Sequence, residues 1–476
     1  LGEMDGREII RRIADAGADA VYFYASCHCG NCFYPTEVEH GHMHSGLKGR
    51  DVFGEAADEA QKRDIAFIGV YEFAHLRLRF TGPKEWVHYY PDAAPANRGN
   101  LCWNTGFGDL VRAQVEEISR RYPMSGIYVD MLDPPGPVSC PGCAKRFREA
   151  VGANPPRKID FQSPLYQAYL LWGHRDCARY INELKGVLHS YQPESTLIIN
   201  YAPLRCHDLY EVAEATDYLS QDPGIAFGYG WWTAELSAYN TLFRSLSRGK
   251  HQYELLADPI LHGSLSIVPE KPYNGITSLA TSHGAASGYP ACMMDHHGKL
   301  NSAALGLLKG SSRFAKERYP WSPTGEPIRT AGVYVSQESH FFYQGACKRR
   351  DQQGRYRDSL YGAHMMLQEE HLPVEILTRR DLERLSEYPV IYLPNAPCMS
   401  DTEIEAFRAY VEEGGTLVSS YRTSTMNEWA EPREDFGLAD VFGVSYQGEK
   451  KEPHLAHQIP LPDGFRDTAE WENRNV

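Results

Sequence analysis

Apolar residues recur along the first 300 positions of the chain in two alternating patterns. Ile9, Ile10 and Ile13 lie on one side of a predicted helix, and the short apolar run from Val21 to Tyr24 follows it as a predicted strand. The same pair of patterns repeats downstream. The predicted helices cover 5–16, 54–63, 109–121, 174–191, 234–247, 274–286 and 302–316. The predicted strands cover 20–24, 65–70, 127–130, 197–201, 217–220, 253–257 and 289–294.

Alternation of helices and strands over about 300 residues favours an α/β fold of the (β/α)8 TIM-barrel type rather than an open sheet. We expect this barrel to occupy residues 1–320. Because the pattern begins with a helix, the first barrel strand is expected upstream of Leu1, or another segment must take its place.

A second α/β unit follows a linker at 320–330, which contains three prolines and a glycine. Its predicted strands cover 331–335, 374–377, 390–394 and 416–420, and its predicted helices cover 356–370 and 402–413. This order predicts a flavodoxin-like doubly wound domain over 330–446. Residues 447–476 are expected to begin a further segment that is truncated.

Composition narrows the classes of partner. The net charge is −14 without a basic block, which argues against nucleic acid or anionic lipid and favours an uncharged substrate such as a carbohydrate. No apolar run approaches the roughly 18 residues that a membrane span needs. Eleven cysteines, spread without the density of a disulfide scaffold, favour a reducing, cytoplasmic location.

Asp130 is the leading candidate for a reacting group, because it ends a buried strand of a parallel fold and ligands bind at the carboxyl ends of such strands. Retaining glycoside hydrolysis needs two carboxyl groups about 5–5.5 Å apart, one attacking and one donating a proton. We predict Asp130 as the nucleophile and Asp222 as the acid/base, with Glu254 and Glu72 in reserve. The alternative is that these carboxylates form structural ion pairs or accept hydrogen bonds from sugar hydroxyls.

Further polar and aromatic residues follow the predicted strands and are expected to bind substrate. They are His42, His44, Glu72, Trp103, Asn200, Gln221 and Trp231. The histidines of the loop that contains His42 and His44 are alternatively solvated, or hold a metal that assists hydrolysis. Trp231 alternatively packs beneath its own loop.

Two groups of cysteines have spacings that suit a metal. Cys27, Cys29 and Cys32 follow the first visible strand. Cys140 and Cys143 follow the strand that carries Asp130, and Cys102 is a possible extra ligand. A C-x-x-C spacing suits tetrahedral structural zinc, although neither group alone supplies four thiolates. Thiols without a metal, or a disulfide, are the alternatives, and no other cofactor is predicted.

The first 320 residues resemble known glycosidases. The run Asn100-Leu-Cys-Trp-Asn-Thr and the segment from Asp109 to Asp130 resemble the approach to the catalytic strand of α-L-fucosidase-related enzymes. The runs that begin at Gly69 and Cys140 resemble a group of hypothetical glycosyl hydrolases. The resemblance implies a retaining exo-glycosidase in which Asp130, at the end of the fourth barrel strand, is the nucleophile.

Residues 330–446 are similar to the trimerisation domain of family 42 β-galactosidases, notably at Tyr392-Leu-Pro-Asn395 and Val441-Phe-Gly-Val444. This resemblance implies an assembly role and a homo-oligomer, a trimer or a hexamer. The family 42 enzymes carry an Asn-Glu pair at the end of the fourth strand, whereas this strand reads Val129-Asp130-Met131. An α-L-fucosidase-like activity is therefore expected. A β-galactosidase-like enzyme and a non-catalytic carbohydrate-binding protein are the alternatives.

Overall fold

The structure, a computed structural model, describes most of the chain. The described residues are 2–73, 82–87, 101–134, 140–204, 206–221, 232–247, 253–256, 286–288, 297–321, 327–344 and 355–448, with isolated positions at 270, 274, 278, 281 and 294.

Within these ranges, seven parallel strands build the first unit. They are β1 (Ala20–Tyr24), β2 (Ala66–Glu72), β3 (Gly126–Asp130), β4 (Thr196–Ile199), β5 (Leu219–Gln221), β6 (Tyr253–Leu256) and β7 (Ala286–Gly288). The strands pair in chain order, β1 to β4 in one sheet and β5 to β7 in another. A parallel bridge between Asn200 and Ser220 links the two sheets into one run. Sequential parallel pairing with intervening helices is the arrangement of a TIM barrel.

Helices separate the strands. They are α1 (Gly6–Asp15), α2 (Val52–Lys62), α3 (Gly106–Arg121), α4 (Pro141–Val151), α5 (Pro164–Tyr191), α6 (Glu211–Ala215), α7 (Trp232–Ser247) and α8 (Ser302–Arg318). The last of these returns to the first. Arg12 of α1 donates to the carbonyl oxygen of Leu300 at 2.9 Å and to Ser302 Oγ at 3.1 Å. This contact brings the two ends of the strand run together, as in a closed barrel.

Alternation along the strands divides their side chains between two cores. Phe67, Ile127 and Leu197 belong to the large core that the strands share with the surrounding helices. Val70 and Tyr128 belong to a separate small cluster that also contains Ile68 and Ile198, with Tyr22 and Tyr218 packed against it. Because successive side chains of a strand point to opposite faces, this second cluster fills the barrel interior.

The second unit is a four-stranded parallel sheet. Its strands are β8 (Ala331–Tyr334), β9 (Val374–Leu377), β10 (Val390–Pro394) and β11 (Thr416–Ser420), in the spatial order β11-β10-β8-β9. Its helices are α9 (Arg355–Glu369), α10 (Asp401–Glu412) and α11 (Ala439–Phe442), with a π-helix at Ser339–Gln344 and a 3-10 segment at Arg379–Glu387. The strand order reverses beside β8, as in a flavodoxin-like fold.

Buried polar contacts join the two units. Thr241 Oγ1 on α7 lies 3.0 Å from His364 Nε2 on α9. The backbone N–H of Leu209 donates to Gln337 Oε1 at 2.7 Å. These contacts fix the second unit against helices of the first.

Several elements differ from the sequence prediction. The seventh strand covers Ala286–Gly288, where the prediction ends a helix, and the predicted strand at 289–294 lies largely outside the described residues. Ala-Ser-Gly carries almost no apolar signal, so the pattern favours the stronger run after it. The chain also forms the helices α4, α6 and α11, which the sequence pattern did not predict. Among the described helices, none combines the length and hydropathy that crossing a bilayer requires.

Candidate active site

Asp130 is the last residue of β3 and shares a strand face with Tyr128, which lies in the barrel interior. Glu72 ends β2 on the same face as Val70, and the backbone positions of Glu72 and Asp130 are partners in the parallel register. Because neighbouring strands lie about 4.8 Å apart, the two carboxylates stand side by side at the carboxyl end of the barrel.

His28 and Ser26 complete the side of the site next to Glu72. His28 Nδ1 lies 3.6 Å from Glu72 Oε1, and about half of the histidine side chain is exposed whereas Glu72 is buried. The hydroxyl of Ser26 accepts a 3.1 Å hydrogen bond from the backbone N–H of Glu72. The buried carboxylate and the half-exposed imidazole offer hydrogen-bonding atoms that hydroxyl groups of a ligand could contact.

Asn200, which follows β4, reaches Asp130 from the other side. Its Nδ2 donates to Asp130 Oδ1 at 2.9 Å, and the backbone N–H of Met131 donates to the same oxygen at 2.8 Å. Burial raises the pKa of Asp130 above its ordinary value, while these two hydrogen bonds lower it and the negative charge of Asp133 raises it further. Both donors favour the ionised carboxylate, the form that a nucleophile needs.

The loop after β3 turns sharply beside the site. Met131, directly after Asp130, has a φ of 58°, in the left-handed region. The negative charge of Asp133, two residues further on, raises the pKa of Asp130. The carbonyl oxygen of Leu132 lies 3.0 Å from Nε2 of the buried His207. The loop after β4, which carries His207, thereby holds the loop after β3 in place.

In the predicted histidine loop, His44 contacts other residues of the protein. His44 Nδ1 accepts a 3.0 Å hydrogen bond from the backbone N–H of Gly46, and its ring stacks on Phe33. The side chain of His42 is exposed. No group of potential metal ligands in the described part of the chain includes either histidine. Their predicted contact with substrate stays a prediction.

Trp103, which was predicted to contact substrate, is packed inside the protein. The side chain is 2% exposed, and its Nε1 donates to Asp176 Oδ2 at 2.8 Å. Its ring stacks on Tyr180. The ring is therefore covered by the protein itself in this structure, and the predicted contact of Trp103 with substrate stays a prediction.

Four predicted residues lie outside what the structure describes in side-chain detail. Asp222 and Trp231 fall on residues that are not described. Gln221 ends β5 and Glu254 lies in β6, but nothing is described of their side chains. The identity of the acid/base therefore stays a prediction.

Three of the predicted zinc ligands come together. The Sγ atom of Cys102 lies 3.4 Å from those of Cys140 and Cys143, and all three side chains are buried. N–H groups of Asn104 point at the sulfurs of Cys102 and Cys143 at 3.3 Å, and the backbone N–H of Cys143 points at Cys140. Burial raises the pKa of Cys102 well above its ordinary value, so a cation is what would stabilise the thiolate.

This donor set fits three corners of a tetrahedral zinc site, and these residues would pin the segment before α3 to the start of α4. No fourth ligand accompanies them among the described residues. The other predicted group does not assemble a metal site in the described part of the chain, and no disulfide joins the described cysteines. Zinc binding itself stays a prediction.

Sequence reasoning did not single out His28, Asp133, Cys206 or His207. The first lies only four residues beyond β1, and a polar residue that closely follows a barrel strand is a signal that could have identified it. The other three come from two loops about 70 residues apart. Their proximity depends on the pairing of β3 with β4.

Comparisons with known proteins support the same two-part organisation. Residues 5–131 match the family model described as hypothetical glycosyl hydrolase 6, and residues 329–449 match the model described as the beta-galactosidase trimerisation domain. The resemblance of each part to its family is thus confirmed.

Relatives in sequence and structure include both glycosidase types. The beta-galactosidase GalA of Bacillus licheniformis is 25% identical over 288 residues, which cover 52% of this chain and 41% of the relative. A solved catalytic mutant of the β-galactosidase Gan42B from G. stearothermophilus gives a TM-score of 0.75 at 15% identity, covering 94% of this chain and 74% of that chain.

Alpha-L-fucosidase isoenzyme 2 from Paenibacillus thiaminolyticus gives a TM-score of 0.70 at 17% identity, covering 88% of this chain and 61% of that chain. This chain therefore spans less than two thirds of GalA and of the fucosidase. The structural likenesses confirm the predicted fold, a barrel followed by an α/β domain.

Proposed function

We propose that the protein is a glycoside hydrolase whose active site lies at the carboxyl end of the barrel, with Asp130 as its nucleophile. The observation that carries the proposal is the convergence of Asp130, Glu72 and Asn200 on the interior face of three consecutive strands. The match of residues 5–131 to a glycosyl hydrolase family model supports it independently.

The proposed reaction retains the anomeric configuration. The ionised Asp130 attacks the anomeric carbon of a terminal sugar while an acid protonates the departing glycosidic oxygen. The resulting ester to Asp130 is then hydrolysed by water, which the same acid activates as a base. Hydrogen bonds from Asn200 and the Met131 N–H to Oδ1 favour the ionised carboxylate and orient it.

Glu72 and His28 are proposed to hold the sugar. The carboxylate accepts hydrogen bonds from hydroxyl groups, and the imidazole can donate or accept one according to its tautomer. Asp222, which follows β5, is the proposed acid/base, with Glu254 of β6 and Glu72 in reserve.

Two sugar specificities are supported. The α-L-fucoside is favoured by an aspartate, rather than an Asn-Glu pair, at the end of β3. The β-D-galactoside is favoured by the similarity to GalA. Turnover of an aryl α-L-fucoside and of an aryl β-D-galactoside distinguishes the two specificities. The two substrates release the same phenol and differ only in the sugar.

The test measures turnover of both substrates by the protein and by Asp130→Asn. We expect one sugar to be hydrolysed with retention, as followed by NMR of the first-formed product, and the variant to be inactive. Turnover by Asp130→Asn equal to that of the parent would remove Asp130 as nucleophile. Sugar binding without turnover by the parent would favour the non-catalytic alternative.

The second unit is proposed to assemble copies of the chain. Its match to a trimerisation domain supports a homo-oligomer, and a trimer is the expected state with a hexamer as the alternative. Light scattering of the eluting protein measures the mass directly. A monomer at all concentrations would contradict the assembly role.

A further inference from the structure

A group of three potential metal ligands, separate from the proposed carboxylate pair, lies where the loops after β3 and β4 meet. Asp133, Cys206 and His207 each place a potential ligand atom there, and these atoms all lie within 4.8 Å of one another. His207 is buried, whereas Asp133 and Cys206 are half-buried, so the cluster is closed on one side and accessible on the other.

The imidazole of His207 is held in one tautomer. Its Nε2 lies 3.0 Å from the carbonyl oxygen of Leu132, which can only accept a hydrogen bond. Nε2 therefore carries the hydrogen and Nδ1 carries the lone pair. A backbone carbonyl that fixes the outer nitrogen is the usual support of a metal-binding histidine.

Nδ1 of His207 lies close to the other members of the cluster. Nδ1 lies 3.6 Å from Cys206 Sγ, a separation that suits two ligands of a single tetrahedral ion. It also accepts a 2.9 Å hydrogen bond from the backbone N–H of Ala202. Ala202 is half-buried, so this N–H can bond to water when a cation takes the lone pair.

The loop that carries the ligands is well anchored. The N–H groups of Cys206 and His207 both donate to the carbonyl oxygen of Ala202 at 3.2 Å, which folds the segment into a tight turn. The ring of His207 stacks on Tyr201, and the hydroxyl of Tyr239 donates to the carbonyl oxygen of Pro203. Little ordering of the backbone would therefore be needed on binding.

We propose that Asp133, Cys206 and His207 bind a divalent cation of the zinc type at the barrel mouth. One thiolate, one imidazole and one carboxylate form a borderline-soft donor set that favours zinc or cobalt over magnesium or calcium. Three protein ligands leave a fourth position, which the exposed side of the cluster opens to water. The descriptions of the two matching families name no metal, and neither Asp130 nor Glu72 is among the three ligands. The proposed metal site does not depend on the proposed hydrolase activity.

Cobalt(II) is the probe, because thiolate coordination gives it a charge-transfer absorption and a tetrahedral environment intensifies its visible bands. The full chain is stripped of metal under reducing conditions and titrated, and metal content is counted after gel filtration. The three-thiol cluster at Cys102, Cys140 and Cys143 adds the same background to every variant. The difference between variants therefore isolates the proposed site.

Cys206→Ser and Asp133→Asn are the test variants, since each keeps the size of a half-buried side chain. We expect each to lose about one equivalent of bound cobalt together with the corresponding share of the visible absorption. Cys29→Ser, which changes an exposed cysteine outside both clusters, is the matched control and should bind as the parent does. Equal stoichiometry and affinity in the parent, Cys206→Ser and Asp133→Asn would overturn the proposal and leave Cys206 as a thiol that only hydrogen-bonds.

Discussion

The side-chain amide of Asn200 donates a 2.9 Å hydrogen bond to Oδ1 of Asp130, joining the carboxyl ends of two adjacent barrel strands. Burial raises the pKa of Asp130, and this bond opposes the rise. The contact therefore links the geometry of β4 to the protonation state of the proposed nucleophile.

Replacement of Asp130 by Asn is expected to lower turnover of the aryl glycoside by at least about 10³-fold, because an amide cannot form the glycosyl ester. The fold should persist. The raised pKa means that ionised Asp130 is costly in the folded state at neutral pH, so a neutral isostere should unfold at the same or a higher temperature. Calorimetry and circular dichroism check this. Loss of both activity and folding would leave the catalytic assignment without support.

Replacement of Asn200 by Ala removes a donor that lowers the pKa of Asp130. Since the nucleophile must be ionised, the acidic limb of kcat/KM should move to higher pH in the variant. The pH profile measures this shift directly. Asn154→Ala, which removes an exposed acceptor for Arg148 at the end of α4, should leave the profile unchanged. An unshifted acidic limb in Asn200→Ala would show that Asp130 does not set it.

Replacement of His28 by Ala removes the half-exposed imidazole beside Glu72. If it holds a sugar hydroxyl in both ground and transition states, KM should rise about tenfold with a smaller change in kcat, as expected for one hydrogen bond. Steady-state kinetics on the hydrolysed aryl glycoside provide both constants. Glu39→Ala, which changes an exposed residue of the same long loop, is the control for general disturbance of the loop. A selective fall in kcat would instead assign His28 a role in the chemical step.

The buried His174 should make stability depend on pH. Desolvation lowers its pKa from 6.5 to about 4, with Asp208 opposing and His207 reinforcing the change, and its ring stacks on Phe341 of the second unit. Below pH 6.5 the unfolded chain takes up a proton that the folded chain refuses until about pH 4. Stability from this group is therefore complete above pH 6.5 and is lost progressively down to about pH 4, by about 3 kcal/mol in all.

The variant His174→Phe keeps the stacked ring and removes the titration. Urea unfolding at pH 7 and pH 5 should show a smaller loss of stability in the variant than in the parent, while His42→Gln should behave as the parent does. An identical pH dependence in all three proteins would contradict the assignment to His174.

Gly142, in the first turn of α4, lies against the backbone of Asn104. A Cβ at this position would be 1.7 Å from the carbonyl oxygen of Asn104, which neighbours the three-thiol cluster. Gly142→Ala should therefore destabilise the fold by about 3 kcal/mol or more. Gly186, exposed in the interior of α5 with open space for 4 Å around the place that a Cβ would take, is the matched control. Gly186→Ala should stabilise by about 1 kcal/mol, because alanine favours a helix.

Much of the barrel could be predicted because its strands have simple patterns. Ile68, Val70 and Glu72 alternate with residues that face the helices, so the position of Glu72 at the mouth follows from a period of two. Strand β7 could not be predicted in the same way, since Ala286–Gly288 has side chains too small to show a pattern.

The candidate site was only partly predictable. A sequence cannot distinguish an exposed aromatic ring from a buried one, and Asp176, which accepts the hydrogen bond from Trp103, lies 73 residues away. The contact between Cys206 and the loop of Asp133 likewise exists only after β3 and β4 have paired. Such contacts depend on the tertiary fold, which no local pattern specifies.

Three tyrosines, Tyr22, Tyr128 and Tyr218, pack together inside the barrel. The hydroxyls of Tyr22 and Tyr218 meet at 2.7 Å, and the ring of Tyr22 packs edge-on against Tyr128, directly beneath Asp130. These three rings fill the described part of the barrel interior below Asp130. In the proposed hydrolase, substrate and product would therefore share a single opening, the one at the carboxyl end of the strands.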